Sequence, residues 1–465
     1  MIRIFSHYIP GKKLILVGVE TLILLISIFL VVDFGFSHAD RGIATSAVPS
    51  LLQAAVFAFC ILTSMAAMGL YEQESSESVR ETLLRMGVAF ALGVAAMSAV
   101  FYLAPSLYVG RGVLAMTIVV ALGGSVLTRL AFLKWVTPGV FQARVLVLGT
   151  GSRAASVGEV ARQKRVRGNI KVVGYLPLQA TQHHVKRDQI LPAEESLLSA
   201  AKKYQVNEIV IAVRDRRGGG LPVQQLLECK LMGIKITELS AFFERERCQL
   251  HLESLNVSWM VFGEGFRQGF LRETMKRLFD VVSSAALALV TLPVMLITAL
   301  CIYLEDRSPI LYRQERVGQG GRVFTILKFR SMRNDAEVDG KPRWANADDD
   351  RTTRVGRVIR KLRIDELPQI FNVLKGDMSF VGPRPERPFF VEQLASKIPY
   401  YNARHSIKPG ITGWAQVSYA YGASLDDAVE KLQYDLYYVK NHTLFLDLMI
   451  LIDTIQVVLW GKGAR

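Results

Sequence analysis

Two carboxylates stand side by side in an otherwise basic stretch, Asp365 and Glu366 within RKLRIDELPQ at positions 360–369. Acidic residues stabilise the first turn of a helix, so the pair could be a structural feature of a helix start. Neighbouring cations also lower carboxylate pKa values and keep such groups ionised at neutral pH. An ionised aspartate can attack phosphorus or bind Mg²⁺. The residue types alone leave both interpretations open.

The sequence around this pair carries an excess of positive charge. Positions 307–408 contain 21 Lys and Arg against 12 Asp and Glu, and the 465-residue chain has a net charge of +15. Several cations stand near glycines: Arg313, Arg316, Lys328, Arg330, Arg360 and Arg363. Such an excess suits phosphorylated substrates or anionic lipid headgroups, although a solvated basic face accounts for some of it equally well. Nucleic acid is not expected as a partner because no nucleic-acid-binding motif accompanies the charge.

A second candidate site is the turn Gly149-Thr-Gly-Ser-Arg-Ala154, which follows the β-branched run Arg144–Leu148. A GxGxxA turn between a strand and a helix can bind phosphate. Further strand-like runs alternate with helical stretches and predict a parallel doubly wound sheet: Ile170–Leu176, Glu208–Val213 and Ile234–Thr237. Dinucleotide binding also needs an acid after the second strand, and YLPLQ at 175–179 has none. We therefore expect a Rossmann-like fold that either binds no dinucleotide or binds a different ligand.

The first third of the chain contains apolar runs long enough for membrane helices, and hydrophobic residues make up 51% of the whole protein. Four runs near the length that crosses a bilayer lie at Leu14–Val32, Pro49–Leu70, Leu83–Leu103 and Gly112–Trp135. Basic residues flank the outer ends of the first and fourth runs and the link between the second and third. Both ends of this bundle are therefore expected in the cytoplasm. Four buried helices of a soluble bundle are the alternative.

A fifth apolar run, Val281–Tyr303, has basic residues on both flanks, which favours both of its ends on one side of the membrane. Pro293 in its middle predicts a kink. We therefore expect a re-entrant helix that breaks near Pro293 and returns, and an ordinary kinked transmembrane helix is the alternative. The last apolar run, Leu444–Trp460, is short and contains two aspartates. It is expected to lie in the membrane interface, with a plain core helix as the alternative.

A series of motifs follows in order along the C-terminal part of the chain. They are KRLFD at 276–280, LKFRSM at 327–332, LRIDELPQIFNVLKGDMSFVGPRPE at 362–386, KPGITGWAQV at 408–417 and DLYYVKN at 435–441. Together they closely resemble the bacterial sugar transferase family of monotopic polyprenol-phosphate phosphoglycosyl transferases. The four-span bundle and the degenerate Rossmann-like domain resemble the large form of that family, such as undecaprenyl-phosphate glucose and galactose phosphotransferases. The Ser-Pro helix break of the family stands here as Leu292-Pro293.

The resemblance implies transfer of sugar 1-phosphate from a UDP-sugar to undecaprenyl phosphate with release of UMP, the first membrane step of exopolysaccharide, O-antigen or capsule assembly. It makes Asp365 the nucleophile that forms a phosphosugar-aspartyl intermediate and Glu366 the second member of a catalytic pair. It also implies Mg²⁺ as a cofactor held beside Asp365. The substrate-binding residues expected on this basis are Lys276, Asp280, Arg316, Lys328, Arg330, Arg360, Pro383, Arg384 and Pro385. Of these, Lys276 and Asp280 are the candidates for contact with the lipid phosphate.

The expected fold class is a membrane protein of mixed α and α/β structure. It comprises a four-helix transmembrane bundle at 1–140, a Rossmann-like cytoplasmic domain at 141–270, and a mainly α catalytic domain at 271–465 with a re-entrant helix at 276–305 and interfacial helices. The resemblance implies a homodimer in the bacterial inner membrane with its catalytic domain on the cytoplasmic side.

Two other classes of function stay open. One is a non-catalytic, nucleotide-sensing membrane scaffold. The other is a membrane-tethered nucleotide-sugar dehydratase, although such an enzyme needs a second, intact dinucleotide domain. Four scattered cysteines have neither disulfide nor zinc-ligand spacing, which excludes a disulfide scaffold and a zinc ribbon. No residue pattern indicates which sugar is transferred.

Overall fold

The computed structural model describes residues 1–33, 50–71, 79–135, 142–163, 170–178, 184–192, 196–213, 221–255, 266, 269–333, 351–419, 422 and 424–460. The chain forms two compact units. The first comprises residues 1–4 and 8–247, and the second comprises residues 5–7 and 248–465. Residues 141–247 of the predicted α/β domain fall in the first unit with the predicted bundle, whereas residues 248–270 fall in the second unit with the predicted catalytic domain.

A short two-stranded sheet, β1 (Ile2–Ile4) and β2 (His7–Ile9), precedes four apolar helices. The helices are α1 (Gly11–Asp33), α2 (Leu51–Ala67), α3 (Val79–Leu103) and α4 (Arg111–Trp135), which confirms a helix in each of the four predicted runs. Helices α1, α3 and α4 are long and apolar enough to cross a membrane, whereas α2 has 17 residues. Pro49, the predicted start of the second run, lies outside the described residues.

A buried ion pair joins the first and fourth helices. Arg129 Nε on α4 donates a hydrogen bond to Glu20 Oε1 on α1 at 2.8 Å, and the Tyr71 hydroxyl donates to Glu20 Oε2 at 2.5 Å. Glu20 is fully buried within the core that these helices share. A single charge buried among apolar side chains is costly, so this pair favours one arrangement of α1 against α4 over others.

The rest of the first unit is built on a four-stranded parallel sheet, as the alternating pattern predicted. Its strands are β3 (Ala143–Leu148), β4 (Ile170–Leu176), β5 (Glu208–Ile211) and β6 (Lys235–Glu238), in the order β4-β3-β5-β6. The helices are α5 (Ser152–Arg162), α6 (Leu197–Lys203), α7 (Val223–Leu231) and α8 (Leu239–Arg247). Val145 and Val147 pack into one core while Leu146 and Leu148 pack into another, so the sheet is covered on both faces.

The glycine-rich turn lies at the end of β3, where the strand order reverses. Gly149 has a φ of 118°, a left-handed conformation that favours glycine, and its N–H donates to the Leu176 carbonyl at 2.9 Å. Helix α5 starts three residues later, at Ser152. This is the position at which open α/β sheets bind ligands. No acidic side chain follows β4 within the described residues 177–178.

The second unit is mainly helical, as predicted. It contains the 37-residue helix α9 (Phe270–Asp306), followed by an antiparallel hairpin of β7 (Leu311–Val317) and β8 (Val323–Phe329) that the sequence analysis did not predict. Its shorter helices are α10 (Arg354–Lys361), α11 (Gln369–Lys375), α12 (Pro388–Lys397), α13 (Trp414–Ser418), α14 (Leu425–Asn441) and α15 (Leu444–Trp460). Two short strands, β9 (Ser379–Val381) and β10 (Gly410–Thr412), pair in parallel.

Helix α9 contacts the rest of the second unit near both of its ends. Toward its start, the Arg277 guanidinium donates to the carbonyls that end α11. At its other end, the Glu305 carboxylate accepts hydrogen bonds from the first main-chain N–H groups of α10. Leu289 and Val290, between these contacts, are 76% and 75% exposed. The helix continues through Pro293 without an interruption, and its re-entrant path stays a prediction.

Candidate functional site

Asp365 and Glu366 lie on a single 3₁₀ turn, residues 364–366, in the short link between α10 and α11. Arg363 immediately before it has a φ of 58°, so the chain leaves α10 through a left-handed residue and turns sharply. Pro368, the second residue after the turn, lacks an N–H group and precedes the first residue of α11. The pair is therefore held on a tight turn between two helices and not in the interior of one helix.

Two cations converge on Glu366. Lys328 Nζ from β8 lies 3.0 Å from Glu366 Oε1, and Arg384 Nη2 lies 3.1 Å from the same oxygen. The Glu366 side chain is 12% exposed, so these contacts are largely shielded from water. Burial opposes ionisation of Glu366, but the two cations and Arg363 outweigh it and hold the pKa well below its usual range. Glu366 is therefore an ionised, firmly held carboxylate.

Asp365 has a different environment from its neighbour. Across the residues that the structure describes, no hydrogen bond or ion pair engages the Asp365 side chain. Burial first, and then the Glu366 charge, raises the pKa of Asp365 to about 6, against the opposing effect of Lys328 and the nearby arginines. Neighbouring cations therefore hold the pKa of Glu366 low, whereas at Asp365 burial and the Glu366 charge outweigh the lowering effect of the same cations. We call Asp365, Glu366, Lys328 and Arg384 the carboxylate-pair cluster.

The Pro383-Arg384-Pro385 turn follows β9 and carries Arg384 to Glu366. Close backbone packing sets the position of this turn. A Cβ added to Gly382 would overlap the Lys408 carbonyl, and one added to Gly410 would overlap the Gly382 amide nitrogen. Glycine is required at both positions because these two segments of main chain approach each other so closely. The GPRPE and KPGITGW motifs thus form one junction beside the carboxylate pair.

A small cavity opens next to this junction. Its lining is rich in cations and main chain: Arg316, Ile326, Lys328, Gln369, Arg384, Pro385, Gly410 and Ile411. Burial lowers the pKa of Lys328, and Glu366 opposes that effect. Three cations line this cavity: Lys328 and Arg384 share Glu366, and Arg316 lies 3.7 Å from Glu386. The cavity suits an anionic group such as a phosphate.

Gln369 is a lining residue that the sequence analysis did not select. Its side chain is the first of α11 and belongs to the buried face of that helix, with Ile370 and Val373. The residue is only 3% exposed. A polar residue at a position where the helical pattern calls for an apolar one is a signal that could have identified it.

Two predicted substrate-binding arginines lie in other surroundings. Arg330 donates from Nη2 to the main-chain carbonyls of Asp306 and Arg307, at 2.8 and 2.9 Å, and so binds the end of α9. Arg360 donates from Nη1 to the Thr352 hydroxyl at 3.2 Å. The structure therefore groups Arg316, Lys328 and Arg384 around the cavity and gives Arg330 and Arg360 contacts elsewhere. Their role in binding substrate stays a prediction.

Lys276 and Asp280, predicted to contact the lipid phosphate, belong to a separate buried cluster. Lys276 Nζ lies 3.2 Å from Asp280 Oδ1 and 2.8 Å from Asp447 Oδ2 on α15. Asp280 also accepts hydrogen bonds from the Ser379 hydroxyl and the Phe380 N–H at the start of β9. Asp280 and Asp447 are 2% and 1% exposed. We call Lys276, Asp280 and Asp447 the helix-anchor cluster, because it binds α9 to β9 and α15.

The predicted magnesium site was tested against the ligands that are present. The described residues contain no group of three or more His, Cys, Asp and Glu side chains that could hold a metal. Asp365 is nevertheless a carboxylate with no partner among those residues, and it is next in sequence to Glu366, whose two cations line a cavity that suits phosphate. Mg²⁺ is usually bound by one or two carboxylates together with substrate phosphates, so a site completed by substrate fits this arrangement.

Comparison with known proteins gives the family. Residues 271–461 match the family described as bacterial sugar transferase. A UDP-N-acetylgalactosamine-undecaprenyl-phosphate N-acetylgalactosaminephosphotransferase of Aeromonas hydrophila is 51% identical over 191 residues, 41% of this chain and 45% of that protein. The UDP-glucose:undecaprenyl-phosphate glucose-1-phosphate transferase of Caulobacter vibrioides is 43% identical over 193 residues, 41% of this chain and 71% of that protein.

A third relative is matched over nearly its whole length. It is an uncharacterized sugar transferase, EpsL, of Bacillus subtilis, 42% identical over 195 residues, which are 41% of this chain and 90% of EpsL. The match with the Aeromonas relative spans less than half of that protein. The family match, residues 271–461, falls within the second unit. The extent of the EpsL match and the family match together establish that this chain belongs to the bacterial sugar transferase family.

Proposed function

We propose that the chain transfers sugar 1-phosphate from a UDP-sugar to undecaprenyl phosphate and releases UMP. One observation carries this proposal: Glu366 is bonded to both Lys328 and Arg384, which also line the cationic cavity, whereas the Asp365 carboxylate has no partner among the described residues. A firmly held acid and a free one on adjacent residues suit different tasks. The names of the relatives describe sugar-phosphate transferases that use undecaprenyl phosphate, which supports the same reaction for this chain.

The chemistry begins with Asp365 as nucleophile. An Asp365 oxygen attacks the β-phosphorus of the UDP-sugar, the bond from that phosphorus to the bridging oxygen breaks, and the electron pair leaves with UMP. A phosphate oxygen of the lipid then attacks the same phosphorus, which forms the lipid diphosphate sugar and regenerates the Asp365 carboxylate. Each step forms one phosphorus–oxygen bond and breaks another, so no external oxidant or reductant is needed.

The cations counter the charge that accumulates as one anion approaches another. Lys328 and Arg384 contact the Glu366 carboxylate and also line the cavity, where they can contact phosphate oxygens. Mg²⁺, bound by Asp365 together with the substrate diphosphate, would neutralise further negative charge. The remaining positive charge at the site comes from Arg316, whose guanidinium also lines the cavity. This arrangement places positive charge where the transition state needs it.

We also propose that α9 is re-entrant and presents the site to the cytoplasmic face of the inner membrane. Its N-terminal arm contacts α11 and its C-terminal arm contacts α10, and these two helices flank the carboxylate pair in sequence. Its exposed middle is apolar, with Leu289, Val290, Leu296 and Ile297 each at least 63% exposed. An apolar middle between two anchored arms supports entry into one leaflet and return. Such a path lets a lipid phosphate reach the pair at the membrane surface.

The test is UMP release from a panel of UDP-sugars, with Mg²⁺ and undecaprenyl phosphate, by the wild type and Asp365→Asn. We expect release that needs both lipid and metal, prefers one sugar, and is lost in the variant. Asp426→Asn, a change at an exposed position in the first turn of α14, is the matched control and should retain full release. Unchanged release by Asp365→Asn contradicts Asp365 as nucleophile. No release from any donor favours the membrane scaffold.

A further inference from the structure

Four successive main-chain carbonyls around Arg384 are each bound by a group from outside the turn. The Gly410 N–H donates to the Pro383 carbonyl at 3.0 Å, and the Val317 N–H donates to the Glu386 carbonyl at 2.9 Å. The two carbonyls between them accept hydrogen bonds from arginines. Arg404 Nη2 donates to the Arg384 carbonyl at 2.9 Å, and Arg316 Nη1 donates to the Pro385 carbonyl at 3.0 Å.

The composition of the turn explains why outside groups are needed. Proline has no N–H, so Pro383 and Pro385 cannot donate the hydrogen bonds that would hold a turn from within. Their fixed φ angles limit the main chain between them, but they do not tie it to the rest of the unit. The position of Arg384 is therefore set by donors from β7, from β10 and from the segment that carries Arg404.

Arg404 is the member of this set that is itself most firmly held. The residue is 5% exposed. Its guanidinium lies 2.7 Å from an Asp435 carboxylate oxygen on α14, and its Nη1 donates to the Tyr401 hydroxyl at 2.7 Å. Asp435 is 2% exposed. A planar guanidinium engaged at three points has little freedom, so the Arg384 carbonyl that it binds is held in one place.

We propose that Arg404, oriented by Asp435, is a positioning residue that holds the main chain of Arg384 so that the Arg384 guanidinium meets Glu366 and the cavity. Arg404 acts only through Arg384. The inference depends on the proposed function, because it assumes that the cavity binds the nucleotide diphosphate of the donor. It also gives a role to the buried pair of Arg404 and Asp435, which is separate from the carboxylate-pair cluster.

The test measures UDP affinity by calorimetry, together with KM and kcat for the preferred UDP-sugar, in full-length protein in nanodiscs. Arg404→Lys keeps the charge beside Asp435 but cannot bind carboxylate, hydroxyl and carbonyl at once. We expect Kd for UDP and KM to rise about tenfold or more, with a smaller fall in kcat, because Arg384 is displaced by a fraction of an ångström. Asp435→Asn retains an oxygen acceptor for Arg404 and should give an intermediate effect.

Arg277→Lys is the matched control. Arg277 likewise donates to two carbonyls, those of Val373 and Leu374 at 2.6 and 2.7 Å, but not to the turn. It should lower thermal stability and leave UDP affinity unchanged. A purely structural role for Arg404 predicts the same result for Arg404→Lys and Asp435→Asn, and that result overturns the inference. Failure of the wild type to bind UDP contradicts the proposed function, whereas wild-type binding with unchanged affinity in Arg404→Lys contradicts only the positioning role.

Discussion

The carboxylate-pair cluster and the helix-anchor cluster both contain residues predicted to bind substrate, and they differ in charge balance and in access. In the first, two cations converge on Glu366, and a cationic cavity adjoins the pair. In the second, Lys276 alone serves two carboxylates that are 2% and 1% exposed. The first cluster provides two cations for Glu366, and the second provides one cation for two carboxylates.

We propose that this difference distinguishes a cluster that binds a ligand from one whose charges engage each other. A buried carboxylate must be paired, so a cation that is shared by two such groups is fully engaged by the protein itself. A cation that is partly exposed beside a cavity can also contact an incoming phosphate. The Arg384 side chain is 37% exposed, against 18% for Lys276 and 17% for Lys328, so the difference in access depends on Arg384. Four predictions test how far this distinction holds.

The largest effect is expected for Asp365→Asn. Loss of the nucleophile should lower turnover by at least about 10³-fold. The same change should raise thermal stability at pH 7, because the asparagine removes a charge that burial and Glu366 disfavour. Sugar-phosphate transfer and thermal unfolding of the purified variant measure the two outcomes. Loss of both activity and stability would instead make Asp365 a structural acid like Asp280.

Lys276→Met tests whether the helix-anchor cluster stabilises the fold. Removing the shared cation leaves Asp280 and Asp447 buried without a counter-charge, and it should lower the free energy of unfolding by about 3 kcal/mol or more. Chemical or thermal unfolding measures the loss, and the variant should lose more stability than turnover. A rise in KM for undecaprenyl phosphate with unchanged stability would show that this cluster binds the lipid, as the sequence analysis predicted.

Lys328→Met should affect the chemistry more than the fold. Glu366 keeps Arg384 but loses its other cation, so the positive charge at the cavity falls. We expect turnover to drop about 10²-fold, a typical cost of removing one electrostatic contact to a transition state. Lys375→Met, at a lysine whose side chain is 75% exposed, is the control and should transfer at the wild-type rate. Equal rates in the two variants would remove Lys328 from the site.

The pH dependence gives the smallest effect. Asp365 must be ionised to attack, and its pKa is raised to about 6. The value of kcat/KM should therefore fall about tenfold for each pH unit below 6 and stay level just above it. The contribution of Asp365 to stability changes with pH in the opposite direction. The raised pKa favours the folded state fully below pH 3.8, the pKa of this group in the unfolded chain, and that contribution is lost as the pH rises through 6. A flat rate profile down to pH 5 would contradict the raised pKa.

Much of the fold follows from local patterns. Apolar runs predicted α1–α4, and alternating β-branched and helical stretches predicted the parallel sheet, because burial imposes those periods directly on the chain. The β7–β8 hairpin was missed because LYRQERV at 311–317 is mostly polar and exposed, so it has no clear alternation to interpret. The motifs likewise identified Asp365, Glu366 and Arg384 without indicating how their charges are shared.

Residue types and spacing established the family, the membrane helices, and a set of acids and cations suited to phosphate chemistry. Tertiary contacts determined which member of the set does what. Lys328 reaches Glu366 across 38 positions, and Arg330, only two positions further on, binds the end of α9 instead. The physical reason is that the role of a charged side chain depends on its partner, and tertiary packing determines which residue distant in sequence becomes that partner. The same reason makes Lys276 an anchor and leaves Asp365 as the unpaired carboxylate.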